Sequence, residues 1–213
     1  MSERVKIILD KNADILRLPA IALRGLVVFP GNIIHFEVGR KKSIAAIEWA
    51  MSNNNAVFLT AQQDMDVEDP GFKDLYAYGV VAEVKQVLRV SDELVKVLVE
   101  GKYRAKLLTL DSSGRFLLAS TKAAALRGTK SVDSARVEAL VRSVKEAFEE
   151  YLSLNPRLSK DVVYTIITNE DAALLCDYIP ANLLLKYTDK QALLNEGTVS
   201  GRLEKLLEIL RRE

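Results

Sequence analysis

One cysteine and one histidine, Cys176 and His35, are the residues from which nucleophilic or metal chemistry would have to start. A zinc site gathers three or four ligands, and these two cannot assemble a Cys/His set within one chain; a single cysteine also excludes an internal disulfide. A Ser-His-Asp triad would have to use His35, which sits in an alternating segment, and no Gly-x-Ser-x-Gly turn occurs to present a serine. Cys176 lies among Leu174, Leu175 and Ile179, where a thiol is inert packing. A Ser-Lys dyad leaves no mark in spacing, and no lysine here has a local feature that would activate it. No catalytic residue emerges.

Three segments invite a binding reading. Gly39-Arg40-Lys41-Lys42-Ser43 offers Lys-Ser at a helix start, but Phe36 and Lys41 occupy the positions where a phosphate loop needs glycine, which leaves a basic N-terminal helical turn. Asp64 to Gly71 crowds Asp64, Asp66, Glu68 and Asp69. Its glycine comes two positions late for a calcium loop and Leu75 stands where the bidentate Glu belongs, so a solvated, mobile loop is expected. After Gly101, alternation puts Lys102, Arg104 and Lys106 on one face, a basic edge that could track a phosphate backbone or guard a sheet edge against aggregation; the second use is favoured.

The chain as a whole sets the frame for these residues. Its 213 residues carry 30 Lys plus Arg against 29 Asp plus Glu, which argues against binding nucleic acid or an anionic membrane through the overall field. With 49% hydrophobic and 28% charged residues it is too apolar for disorder and too charged for a membrane bundle. The apolar stretch within Met1–Asp10 is too short for the core of a signal peptide, so a cytoplasmic address is the expectation.

The first half reads as strands. Asn32 to Val38 alternates, with Ile34, Phe36 and Val38 opposite Ile33, His35 and Glu37. Gly79–Val90 and Leu94–Glu100 form a hairpin about Ser91-Asp92-Glu93, and Tyr103–Leu110 with Phe116–Thr121 form a second pair about Asp111–Gly114. A strongly bent sheet or partial barrel is expected, with one helix over 42–52 ended by Asn53-Asn54-Asn55. After Arg127-Gly128-Thr129 the apolar period lengthens to that of a helix: Val137, Leu140, Val141, Val144, Phe148, Tyr151 and Leu152 form one stripe that Asn155-Pro156 ends. Ser159 caps a helix that buries Val162, Val163, Ile166 and Ile167, a further segment runs from Asp171 to a break at Pro180, and Thr188 with Gln191 has the spacing of a capping box. Thr198 opens a last helix with Leu203, Leu206, Leu207 and Leu210 on one side. It meets no stop signal before Glu213, so either Arg211 and Arg212 simply suit the helix dipole or the helix runs on; the second is expected. The fold class is therefore α+β, a β-rich lobe over 1–122 followed by an all-α helical bundle lobe over 123–213.

These residues also carry a resemblance. Leu18-Pro19, Leu23-Arg24-Gly25, Val28-Phe29-Pro30-Gly31 and Val38-Gly39-Arg40 with Ser43 resemble the opening of the N-terminal domain of ATP-dependent Lon proteases. Leu75-Tyr76-x-Tyr78-Gly79-Val80-Val81-Ala82, Val95 to Gly101, Leu185-Lys186, Lys190 to Leu194 and Arg202-Leu203-Glu204 follow in that family's order. The resemblance implies a PUA-like first lobe and a helical second one. It further implies a non-catalytic module that precedes a AAA+ ATPase and a Ser-Lys peptidase, with ATP and magnesium used by the parent protein and no cofactor held by this part. The implied partners are unfolded, damaged or regulatory polypeptides and the other subunits of a homo-hexamer, with no membrane and nucleic acid disfavoured. A stand-alone Lon-domain protein with a protein or RNA partner is the alternative.

Capture of unfolded chains needs apolar surface beside loops. Leu26, Val27, Val28 and Phe29 precede the turn at Pro30-Gly31, and Phe72, Tyr76 and Tyr78 border the acidic loop. Leu26, Val27, Phe29, Phe72 and Tyr76 are thus the expected substrate contacts, against the reading that Val28, Phe29 and Tyr78 are core. Leu203, Leu206, Leu207 and Leu210 are expected at a neck or oligomer contact, a role that periodicity does not separate from core.

Overall fold

The computed structural model describes residues 15–91, 93–127, 134–155 and 158–213, which fall into two compact units divided between Ala124 and Ala125. Together they make an α+β protein. The sequence expectations placed on Met1–Asp10, Asp92, Gly128-Thr129 and Pro156 lie outside the described residues.

Among the described residues six strands, one α-helix and a short 3-10 turn (Phe72–Asp74) build the first unit: β1 (Leu16–Leu23), β2 (Ile33–Val38), α1 (Lys41–Met51), β3 (Ala56–Ala61), β4 (Tyr78–Arg89), β5 (Val95–Asp111) and β6 (Leu117–Ala123). Their order is β2-β5-β4-β3-β1-β6, and β6 pairs again with β5, so five strands close on themselves while β2 extends the first half of β5. Only β1 and β3 run parallel among these pairs, joined through β2 and α1. Closure surrounds a core of Leu18, Phe58, Leu75, Val81, Leu107 and Leu117 among small alanines.

Two strands escape a period-two search. Six successive residues of β1 and all six of β3 are buried, because each strand lies between two others and is covered on both faces; such strands have no polar side to alternate with. Pro19 fits within β1 because its pairing with β3 begins only at Ala20. β2 alternates as expected, exposing Ile33, His35 and Glu37.

The pair of strands expected at Leu94–Glu100 and Tyr103–Leu110 is one 17-residue strand. Gly101 does not end it. A β-carbon there would lie 2.2 Å from the Phe29 carbonyl oxygen, so glycine lets the 26–31 loop cross β5 at close range. The bend is taken up by irregular pairing opposite Val81/Ala82 and at Leu107/Thr109. The same irregularity spoils the expected alternation of Lys102, Arg104 and Lys106. Arg104 is buried, 4.1 Å over the Tyr78 ring, with a 3.2 Å bond to the Ala124 carbonyl, while Lys102 is held by Glu83 and Glu100. Only Lys106 remains exposed, so no basic edge forms.

Among the described residues five helices form the second unit: α2 (Ser134–Leu154), α3 (Lys160–Thr168), α4 (Ala172–Asn182), α5 (Tyr187–Asn195) and α6 (Val199–Arg212). Val141, Val144, Ala147, Phe148 and Tyr151 of α2 are buried, and α6 packs mainly on α2. Ser159, Asp171 and Thr198 cap α3, α4 and α6 through their side chains. Three expectations change. Pro180 lies inside α4, near enough to its end that few hydrogen bonds are lost. α5 starts at Tyr187, so Thr188 is helical rather than a cap, and Gln191 is buried and donates 2.8 Å to Asn195 Oδ1. In α3 Ile166 is buried but Ile167 is exposed.

The fixed point of this unit is Arg202, fully buried on α6. Its guanidinium pairs with Asp177 of α4 and donates to the carbonyls of Glu196 (3.0 Å) and Leu194 (3.3 Å), which ties α4, the α5–α6 turn and α6 together. The Glu196 carboxylate accepts from the backbone of Gly197 and Thr198 and from the Thr198 hydroxyl, completing the turn.

Candidate functional site

At Leu23 β1 leaves the sheet, and the next two residues turn back. Gly25 has φ +62°, a conformation that disfavours side chains, and a β-carbon there would come 3.0 Å from Met65 Sδ. The chain then drops inward. Val27, Val28 and Phe29 are buried, with Phe29 0% exposed, while Leu26 stays half-buried at the rim. The Leu26 rim, the ends of β1 and β2 and the start of α1 enclose a cleft of about 310 Å³, with Phe36 half-buried in its wall and Arg24, Glu37, Arg40 and Ser43 around it.

The acidic loop is strapped to this cleft. The Val67 carbonyl accepts from Gln62 Nε2 (2.9 Å), Arg40 Nη2 (3.2 Å) and Arg24 Nη2 (3.4 Å). Gln62 is fully buried, also donates to the Asp64 carbonyl at 3.0 Å, and accepts from Arg40, whose other nitrogen reaches the Ala22 carbonyl at 3.3 Å. Lys42 Nζ binds both oxygens of Asp69, at 2.9 and 3.0 Å. Burial, and then the charge of Arg24, lower the affinity of the Arg40 guanidinium for its proton. The acidic side chains of this loop are exposed, as a solvated loop requires, but its backbone is tied down by buried Gln62, half-buried Arg40 and exposed Arg24. Among the described residues no three His, Cys, Asp or Glu side chains are placed to hold a metal ion.

The expected contact residues divide. Leu26 is at the cleft rim, Phe72 is 48% exposed on the same 62–75 segment as the exposed Met65, and Tyr76 is half-buried. Val27 and Phe29 move from the candidate surface to the core, because the 26–31 loop folds onto Gly101 and carries them inward. Leu203, Leu206 and Leu210 are likewise buried inside the helical unit, where α6 packs mainly on α2, and Leu207, the fourth residue expected at a neck or oligomer contact, is half-buried. Cys176 is buried, its thiol pushed up to about 12 by desolvation, which leaves it unreactive.

The helical unit has its own apolar groove, about 720 Å³, lined by Tyr151, Leu154, Leu158, Val162 and Leu184; Leu184 is 90% exposed. Sequence reasoning passed over it, since Leu183, Leu184 and Leu185 look alike in sequence and only the turn after α4 turns the middle one outward. It also passed over Gln62 and Met65, and read Ser43 only as part of a helix start. The basic turn beginning at Gly39 and the apolar run beginning at Leu26 were the two signals that led toward the cleft of the first unit.

The family model for the ATP-dependent protease La (LON) substrate-binding domain matches residues 17–212. The chain is 38% identical over 202 residues to a Lon protease of Desulforamulus reducens, covering 95% of the chain and 25% of that protein. It is 36% identical over 203 residues to the Lon protease of Escherichia coli K12, covering 95% and 26%. The chain thus spans about a quarter of the length of the curated relatives it matches. In fold it is similar to the N-terminal domain of Mycobacterium avium complex Lon protease (TM-score 0.74, 20% identity, 92% of this chain and 98% of that one). It is also similar to a Lon N-terminal domain protein from Xanthomonas campestris (TM-score 0.62, 15% identity, 90% and 97%).

Proposed function

The chain belongs to the ATP-dependent protease La (LON) substrate-binding domain family, and from that premise we propose that it takes hold of unfolded, damaged or regulatory polypeptides ahead of their ATP-driven degradation. The observation that carries this reading is the cleft of the first unit, with half-buried Leu26 and Phe36 in it and exposed Met65 and Phe72 on the loop strapped beside it. Exposed apolar side chains distinguish an unfolded chain from a native one, and a small apolar cleft holds them weakly enough to release. The chemistry lies elsewhere in the parent: a AAA+ ATPase that uses ATP and magnesium, and a Ser-Lys peptidase, in a cytoplasmic homo-hexamer whose assembly this part supports. Among the described residues no helix is long and apolar enough to cross a membrane. Leu203, Leu206 and Leu210 of α6 are not the assembly surface in this proposal, since their own unit buries them.

The test is binding to a permanently unfolded, reduced and carboxymethylated protein, followed by fluorescence anisotropy. Leu26→Ser and Phe72→Ser each weaken binding by about tenfold, the effect of losing the burial of one large apolar side chain, with little change in thermal midpoint. Unchanged affinity in both variants would remove this surface from consideration.

A further inference from the structure

The start of α1 points to a second recognition element in the same cleft. Arg40 is its N-cap, yet the Arg40 side chain makes no cap hydrogen bond, and the first intrahelical bond runs from the Ile44 N–H to the Arg40 carbonyl. The backbone N–H groups of Lys41, Lys42 and Ser43 are thus the open donors of a helix whose positive end faces outward. A second observation is independent of the helix. Ser43 lines the cleft, is only 5% exposed, and among the described residues its hydroxyl has no hydrogen-bond partner. That hydroxyl is not among the fully enclosed polar atoms, so it is open to donate to, or accept from, what enters the cleft.

Charge narrows what that is. Arg24, Arg40, Lys41 and Lys42 surround the cleft and its neighbouring mouth, opposed by Glu37, Glu68 and Asp69, with Asp69 already bound by Lys42. Four cations against three carboxylates leave one positive charge to be matched, which suits a monoanion better than a phosphate dianion. The rest of the wall is apolar, through Leu26, Phe36 and Val38. We propose that the cleft binds an apolar peptide segment that bears a carboxylate, the carboxylate meeting the first-turn amides of α1 and the Ser43 hydroxyl while Leu26 and Phe36 hold the neighbouring side chains. This inference rests on the reading of the cleft as a polypeptide site and adds a chemical class to what it selects. The carboxylate comes either from a chain terminus or from an Asp or Glu side chain.

The test uses the 213-residue chain, labelled with ¹⁵N, and three synthetic probes: N-acetyl-Leu-Phe-Leu with a free carboxylate, the same peptide as its amide, and N-acetyl-Leu-Asp-Leu amide. The free acid is expected to bind about tenfold more tightly than its amide, the scale of a hydrogen bond to a charged group, and to shift the amides of Lys42 and Ser43. In Ser43→Ala and Arg24→Gln, each checked for an otherwise unchanged spectrum, the ratio of acid to amide affinity falls toward one. The Asp peptide matching the free acid assigns the site to side-chain carboxylates; its matching the amide assigns it to chain termini. Equal affinity of acid and amide, both at the cleft, overturns the carboxylate inference and leaves polypeptide capture standing. Binding of none of the three, or shifts confined to other residues, overturns the cleft as a polypeptide site and this inference with it.

Discussion

The Phe29 carbonyl oxygen stands where a side chain on residue 101 would begin: a β-carbon at Gly101 would be 2.2 Å from it. Hydrogen bonds from Gly31 N to the Gly101 carbonyl (2.8 Å) and from Gly101 N to the Asn32 carbonyl (2.9 Å) fix the approach. Gly101→Ala must therefore push the 26–31 loop off β5. It is expected to cost about 2 kcal/mol or more, as forced backbone movement does, measured by urea denaturation of the first unit. A variant as stable as the parent would show that this crossing is loose.

Phe29 and Leu26 are three residues apart and are expected to behave oppositely. Phe29→Ala empties a fully buried site and should destabilise by about 3–5 kcal/mol. Leu26→Ser, on the half-buried rim, should lower polypeptide affinity and cost far less stability. Denaturation curves for the two variants, read beside their anisotropy titrations, separate the roles.

In the helical unit, Arg202→Met leaves Asp177 without its cation and the carbonyls of Leu194 and Glu196 without a donor. Breaking a buried pair from one side costs about 3–5 kcal/mol, so this single change should unfold α4–α6 at a much lower urea concentration. Replacing Arg202 and Asp177 together by Met and Leu should recover part of the loss, because no buried charge is then stranded. Circular dichroism of both variants during urea titration is the check.

Glu83, Lys85, Glu100 and Lys102 form a closed ring of ion pairs across β4 and β5, each contact between 2.7 and 2.9 Å. Hydrogen bonds from Lys102 and then Lys85 lower the Glu100 carboxyl from 4.5 to about 2. A depressed carboxyl stabilises the fold above its unfolded value and loses that contribution as pH falls. The contribution is complete above about 4.5 and fades toward 2. A carbon-detected titration should place the Glu100 midpoint near 2, and Lys102→Met should move it up toward 4.5. A midpoint unmoved by that substitution would mean the ring is open in solution.

How far the sequence could be read follows from what each element faces. β2 and α2 were legible because each has one wet face, which leaves a period in the order of residues. β1 and β3 are apolar on both faces, and Gly101 resembles a strand break until Phe29 is seen lying across it. Of the candidate contacts, Leu26 and Phe72 were visible as apolar residues beside turns. Gln62 was not, and Ser43 showed only as part of a helix start, because a buried polar residue has the same letter as an exposed one and its meaning lies in what surrounds it.

By itself the sequence determined the α+β class, the strand-rich first half, the helical second half, two of the helix caps, at Ser159 and Thr198, and the family resemblance. All of these depend on neighbours within a few positions along the chain or on residue order. Only the tertiary structure decided that Phe29 is core and Leu26 rim, that α6 spends its leucines on α2, that Arg104 is covered rather than offered, and that the acidic loop is bound at the Val67 carbonyl. Each of those outcomes depends on contacts between residues far apart in the chain, whose pairing is set by closure of the sheet and packing of the helices and leaves no periodic trace in the sequence.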